Sequence, residues 1–221
     1  MRARGDSTAA GKALKSGMPK VYSIDGITPV VHPSAYVHPS AVLIGDVIIA
    51  ANVYVGPSAC LRGDFGRIVV EQGANLQDTC VAHGFPGKDT VVGRDATIGH
   101  GAVLHGCSIG RGALIGMNCV VNDNAEVGEN AVVAALAFVK AEAKIPPRSL
   151  AAGIPARVLR TLSDEEMRWK EENAALYRQL AERSARTMHP VDALDEPEPG
   201  RRRIEVPGSI PLSEMKAKKR P

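Results

Sequence analysis

The chain has 221 residues, 44% of them hydrophobic but only 4% aromatic, so any core it forms is filled by Val, Ile, Leu and Ala. Its formal charge of +3 comes from its ends: residues 1–17 carry +3 and residues 201–221 carry +5, leaving 18–200 at −5 and without the basic, aromatic-studded face that nucleic-acid binding requires. With no membrane-length apolar run, no signal-peptide core and no CxxC among Cys60, Cys80, Cys107 and Cys119, the composition fits a cytoplasmic protein with reduced thiols and no membrane partner.

Residues 1–17 are polar, basic and without apolar period, and are expected to be a disordered extension. The folded part is expected to begin at Met18. The Arg-Gly-Asp triplet of this extension and a second one at Arg62-Gly63-Asp64 are discounted as adhesion signals, the first for its tail position and the second because it falls inside a repeat. That repeat governs the chain from about residue 34. Aliphatic residues stand six apart at Val37, Leu43, Ile49, Val55 and Leu61, and the register resumes through Val70, Leu76, Val92, Ile98 and Leu104. After one five-residue step it continues from Ile109 to Val139, with Gly following the aliphatic at Gly56, Gly93, Gly99, Gly110, Gly116 and Gly128. A helix cannot keep a six-residue stripe on one face, and each interior Gly would cost it about 1 kcal/mol. Six-residue sides meeting at small-residue corners describe an all-β solenoid, a parallel β-helix of triangular section.

The register breaks between Ala82 and Val91, where HGFPGKDT reads as a surface loop. A coil of three six-residue sides takes 18 residues, so the 22 residues from His83 to His105 make one coil plus a four-residue excursion. The two histidines are therefore expected to stack on adjacent coils. The solenoid is assigned to 18–145, followed by an exit segment and helix over 146–189. Ser163 is the expected N-cap, Glu166 its capping-box partner, and Leu162 with Met167 a hydrophobic staple. Met167, Ala174, Tyr177, Leu180, Ala181 and Ser184 form the stripe expected to face the solenoid. The helix should stop before His189-Pro190, and residues 190–221 are expected to be an irregular or disordered tail.

Chemistry concentrates on three histidines. Five strand residues separate His100 from His105, roughly 16 Å at about 3.3 Å each, which is too far for both to reach one metal within a chain. Symmetry resolves this: His83 and His105 of one subunit meet His100 of a neighbour around a three-fold axis. Three histidines with an open fourth position are the catalytic zinc pattern. His32, His38 and His189 are read as ordinary surface residues. Arg62 and Asp64 share one strand face, and Asn75, Gln77 and Asp78 come about one coil later, able to face that corner as partners for Arg62. Gln77 beside the metal is a candidate for holding an oxyanion.

The segments LRGDFGRIVV, GANLQDTCVAHGFPGKDTVVG, IGHGAVLHGC and GMNCVV resemble the γ-class carbonic anhydrase family of hexapeptide-repeat proteins, and within it the branch of phenylacetic acid degradation and carnitine-operon proteins. The resemblance implies a left-handed β-helix, a homotrimer, and Zn2+ (or Fe2+ or Co2+) held by His83, His105 and a neighbour's His100. It also implies that Arg62, Asp64 and Asp78 order the interface and that Gln77 lies beside the reacting water. Prototype anhydrases carry a Glu after the Asp of the Arg-Gly-Asp segment and another in an acidic loop. Here the first position is Phe65 and GFPGKDT has no Glu, which counts against fast CO2 hydration. The resemblance to phenylacetic acid degradation proteins implies hydrolysis of CoA thioesters, and the leading expectation is a metal-dependent thioesterase acting on CoA thioesters of phenylacetic acid degradation. A carbonic anhydrase acting on CO2 or bicarbonate, a hexapeptide acyltransferase, and a non-catalytic scaffold stand as alternatives.

Overall fold

The computed structural model describes residues 19–206 and Glu214. The expected disorder of 1–17 and of most of 207–221 lies outside the described residues. Short parallel strands wind into about seven turns of a solenoid, followed by one C-terminal helix. Among the described residues, one flank is an eight-stranded sheet in which Tyr36–Val37, Tyr54–Val55, Asn75–Leu76, Thr97–Ile98, Leu114–Ile115, Val132–Val133 and Ser149–Gly153 follow one another in parallel register. The other two flanks form one twelve-stranded sheet, because the long strands Val42–Ile49 and Cys60–Val70 pass straight through the corner between them. One coil later that corner opens. Val81–His83 and Thr90–Val92 both pair with Cys60–Val70, and a loop crosses between them.

The six-residue stripe is the core. Leu43, Ile49, Val55, Leu61, Val70, Leu76, Ile98, Leu104 and Ile115 are all fully or almost fully buried, and Val37 at the first coil is partly so. One inward aliphatic per side fills a narrow interior, and the alternation along Val42–Ile49 shows the period of two inside each side. Corners are made by residues that tolerate left-handed backbone: Asn52, Asn118, Asn124 and Asn130 have φ of 57°, 55°, 56° and 58°. Because Leu104 has no aromatic neighbour in the core to collapse into the gap, Leu104→Ala is expected to cost about 2–5 kcal/mol in chemical denaturation. A loss under about 1 kcal/mol would show that the coils relax around the cavity.

The solenoid runs past the expected end at Ile145. Ala151 stands in register with Val133 and is fully buried, so Ser149–Gly153 continues the stack before the chain folds back into the antiparallel strand Ala156–Thr161. The helix is Asp164–Thr187, with the capping box of Ser163 and Glu166 formed in both directions and Asp164, Glu165 and Glu166 at its positive end. Met167, Ala174, Ala181 and Ser184 are buried along the expected stripe. Tyr177 reaches Tyr54, whose ring stacks on Tyr36, each pair 5.6 Å between centroids. Lys170, outside that stripe, is also buried: its Nζ donates to the Gly112 carbonyl at 2.5 Å and to Asn130 Oδ1 at 3.0 Å, and burial pulls its pKa below the ordinary lysine value. From Met188 to Val206 the chain has no strand or helix. No helix among the described residues is long and apolar enough to cross a membrane. The four cysteines form no disulfide, and burial pushes the Cys80 thiol up to about 11 and the Cys107 thiol up to about 12, which leaves both protonated and inert.

Candidate metal centre

The corner through which Cys60–Val70 runs straight is where four polar residues stack, one per coil. Inward and outward residues alternate along that strand, so Leu61 and Gly63 are buried while Arg62 and Asp64 face out. His83 ends Val81–His83, and His105 stands directly opposite it in the parallel ladder, as the 22-residue spacing predicts. His83 Nε2 lies 3.0 Å from Asp64 Oδ1, His83 Nδ1 lies 3.2 Å from His105 Nε2, and His105 Nδ1 contacts Asp123 Oδ1. The result is a column Asp64–His83–His105–Asp123 running along the solenoid. Arg62 closes its lower end by donating to Asp64 Oδ2 at 2.6 Å. Burial alone would raise the Asp64 pKa; hydrogen bonds from Arg62 and His83 and the Arg62 charge outweigh it and hold the carboxyl below its ordinary value.

The carboxylates decide what the imidazoles can do. A carboxylate can accept from a neutral imidazole only at its N–H, so Asp64 places the His83 proton on Nε2 and Asp123 places the His105 proton on Nδ1. The two remaining nitrogens, His83 Nδ1 and His105 Nε2, then face each other as bare lone pairs at 3.2 Å. That arrangement is repulsive unless a proton or cation lies between them. Two nitrogens bound to one tetrahedral zinc at about 2.05 Å would stand about 3.3 Å apart. The donor set and its spacing therefore fit a metal, with each histidine carrying the carboxylate partner that metal-ligating histidines require.

His100 occupies the opposite edge of the flank formed by Val103–His105. Its Nδ1 is 3.0 Å from Asp78 Oδ2, and both side chains are close to half exposed. His100 thus repeats the pattern of one nitrogen on a carboxylate, here at the other end of the side from its own chain's histidine pair. Among the described residues, no three His, Cys, Asp or Glu side chains of one chain converge on a point. His32 and His38 differ in kind: each directs Nδ1 to the hydroxyl of Ser34 or Ser40, and His189 to the Thr187 carbonyl. Asn75, Gln77 and Asp78 lie on the His100 edge and not beside Arg62, whose partner is Asp64. Asn75 is fully buried, donating to Thr97 Oγ1 at 2.9 Å, and Gln77 Nε2 donates to Asn75 Oδ1 at 3.2 Å. Spacing of one coil does not say which corner a residue occupies: Asp78 and His83 stand at opposite ends of one six-residue side.

Three residues of the site escaped the reading of the sequence. Asp123 lies 18 residues after His105, a full coil, and that interval was the available signal. Phe85, on the excursion, lays its ring nearly parallel to His105 at 6.3 Å and 20°, while Phe65 tilts against His83 at 5.5 Å. Phe85 fits there because the residue beneath it is Gly106, at φ +54°, where a Cβ would come within 2.6 Å of Phe85 Cε1. The third is Thr90, which bonds to the backbone beside both histidines.

A family described as bacterial transferase hexapeptide (six repeats) matches residues 106–141. The carnitine operon protein CaiE of Escherichia coli is 52% identical over 184 residues, covering 83% of this chain and 94% of that protein. A candidate acetyltransferase from Bacillus cereus, solved by crystallography, is 32% identical with a TM-score of 0.73, covering 74% of this chain and 95% of that one. A hexapeptide transferase family protein from Anaplasma phagocytophilum is 34% identical with a TM-score of 0.71, covering 74% and 96%.

Proposed function

The chain belongs to the hexapeptide-repeat family that includes the carnitine operon protein CaiE, and on that premise we propose that it is a metal-dependent hydrolase of acyl thioesters, built as a homotrimer with a metal at each junction between neighbours. The observation that carries this reading is shared by His83, His100 and His105 alone among the described histidines: one ring nitrogen lies against an Asp carboxylate, which leaves the other as the metal donor. The outward residues between the two histidine edges favour a second copy of the chain there. Val81, Val103 and Val120 line that flank, with Met117 and Leu136 exposed on the His100 edge.

His83 and His105 with a neighbour's His100 would hold a divalent ion, zinc or alternatively Fe2+ or Co2+, with one position open, and such an ion would supply Lewis acidity and a nucleophilic water at neutral pH. The chain binds, orients and excludes water. Asp64 and Asp123 keep the His83 and His105 protons on Nε2 and Nδ1, so their lone pairs stay turned inward; Asp78 does the same for the His100 a neighbour contributes. Gln77, anchored through Asn75, accompanies His100 across the junction and orients the substrate's carbonyl oxygen. Phe65 and Phe85 give the histidine pair two apolar walls. With Phe65 where a proton-carrying Glu would stand, the site suits an activated acyl carbon better than the rapid proton export of CO2 hydration. Resemblance to phenylacetic acid degradation proteins makes aromatic CoA thioesters the first substrates to try.

The test is metal content and thioester hydrolysis measured together. About one zinc per chain is expected, with His105→Ala losing both the metal and the hydrolysis of phenylacetyl-CoA. Full hydrolysis by His105→Ala would end the proposal, and CO2 hydration without thioester turnover would make the protein an anhydrase. The description of the Bacillus cereus relative favours a second reading, acyl transfer without metal chemistry. That reading requires activity to survive removal of the metal by chelation.

A further inference from the structure

Pure packing does not explain the residue at position 90. Val92 points into the core and Thr90 shares its parity, standing opposite the fully buried Ile68 in the ladder, where an aliphatic side chain would pack as well. Thr90 is itself fully buried, and a buried hydroxyl is destabilising unless it is hydrogen-bonded. This one is used twice. Its Oγ1 donates to the His83 carbonyl at 2.6 Å and accepts from the Gly106 amide at 2.9 Å, while that amide also reaches the His83 carbonyl at 3.0 Å.

The three groups form a closed knot at the point where the solenoid is most irregular. The coil from His83 to His105 is four residues long of the 18-residue pitch, and the step from Leu104 to Ile109 is one short of six. Toward Cys60–Val70, the ladder of Val81–His83 stops at Ala82, so His83 has no registered partner on that side. The ladder of Val81–His83 on Val103–His105 ends at the bond from Gly106 to the His83 carbonyl, and the Thr90 hydroxyl adds a second link at that end, where the chain leaves for the excursion.

We propose that Thr90 is a positioning residue for the histidine pair: its hydroxyl locks the backbone at His83 to that at Gly106 and so fixes the separation of His83 Nδ1 and His105 Nε2 against the slack of the excursion. This rests on the metal-centre reading above. Its chemistry needs a group that donates and accepts at once, which Ser retains and Val lacks.

The experiment compares Thr90→Val and Thr90→Ser in the full-length protein, with Zn2+ affinity read by competition against a chromogenic chelator and assembly checked by size. Thr90→Val is expected to bind Zn2+ about 10–100-fold more weakly, the usual effect of losing a residue that orients ligands, and Thr90→Ser within about threefold of the native protein. A merely structural threonine would lower the melting temperature and leave the Zn2+ affinity of the folded protein unchanged, and that result overturns the proposal. Should Thr90→Val fail to assemble, Thr90→Cys replaces it under the same criteria, keeping the volume while weakening both hydrogen bonds. If the native protein takes up no Zn2+, the metal-centre reading falls separately. Thr90 is then judged on the imidazole 15N shifts of the metal-free protein. Shifts that change at His83 and His105 but not at His32 and His38 sustain the positioning role, and unchanged shifts at all four refute it.

Discussion

Chains carrying His100→Ala, and chains carrying both His83→Ala and His105→Ala, are each expected to purify without metal, yet to regain about a quarter of the native metal when mixed in equal amounts and reassembled. The argument is geometric. In each chain the bare nitrogens of His83 and His105 meet at 3.2 Å, while His100 stands across the flank, held by its own Asp78. A junction is complete only when the chain giving the histidine pair is the His100→Ala type and its neighbour is the other. Random closure of a ring satisfies that at about one junction in four. Metal retained by the His100→Ala protein alone would mean that another donor completes the site. No recovery on mixing, in ring assemblies shown to contain both chains, would mean that the site does not cross between subunits. Thioester hydrolysis should return in the same proportion as the metal if, as proposed, each junction is a separate centre.

What the sequence carried was whatever depends on a count along the chain. The six-residue stripe from Leu43 to Val139 specified the solenoid because each of its positions is an inward side chain, and a narrow core of single aliphatics leaves no other use for them. The 22-residue interval stacked His83 on His105, and the capping box placed the helix start within a residue. Failures came where two residues at equal heights lie on different sides of the triangle. Asn75, Gln77 and Asp78 follow Arg62 by about one coil, which suggests a shared corner, but a side of the coil separates them from His83, and they pair with Thr97, Asn75 and His100 instead. Lys170 was invisible for another reason. Its burial depends on carbonyl and amide oxygens that the solenoid exposes at Gly112 and Asn130, which only the assembled coils bring beneath the helix. Asp123 was within reach of counting, since it repeats the 18-residue coil from His105 that the core residues already obey.

Asp123 also carries the second large effect, and its comparison with Arg62 separates orientation from simple charge. Asp123→Asn is expected to weaken Zn2+ binding about 10–100-fold, whereas Arg62→Met should change it by no more than about threefold. Asn is the same size as Asp, but its side chain can present an N–H as easily as an oxygen. The His105 ring is then free to carry its proton on Nε2, where the lone pair facing His83 is needed. Among the described residues the ion pair of Asp123 is with His105, whereas Asp64 also accepts from Arg62. Arg62 is 42% exposed on its side chain, so water screens its contribution to Asp64, which keeps its bond to His83 when Arg62 is gone. Chelator competition on the folded proteins measures both variants. Equal losses for the two would mean that net negative charge at the corner, and not the direction of the His105 lone pair, governs the metal. The reverse order would transfer the orienting role to the Arg62–Asp64 end of the column.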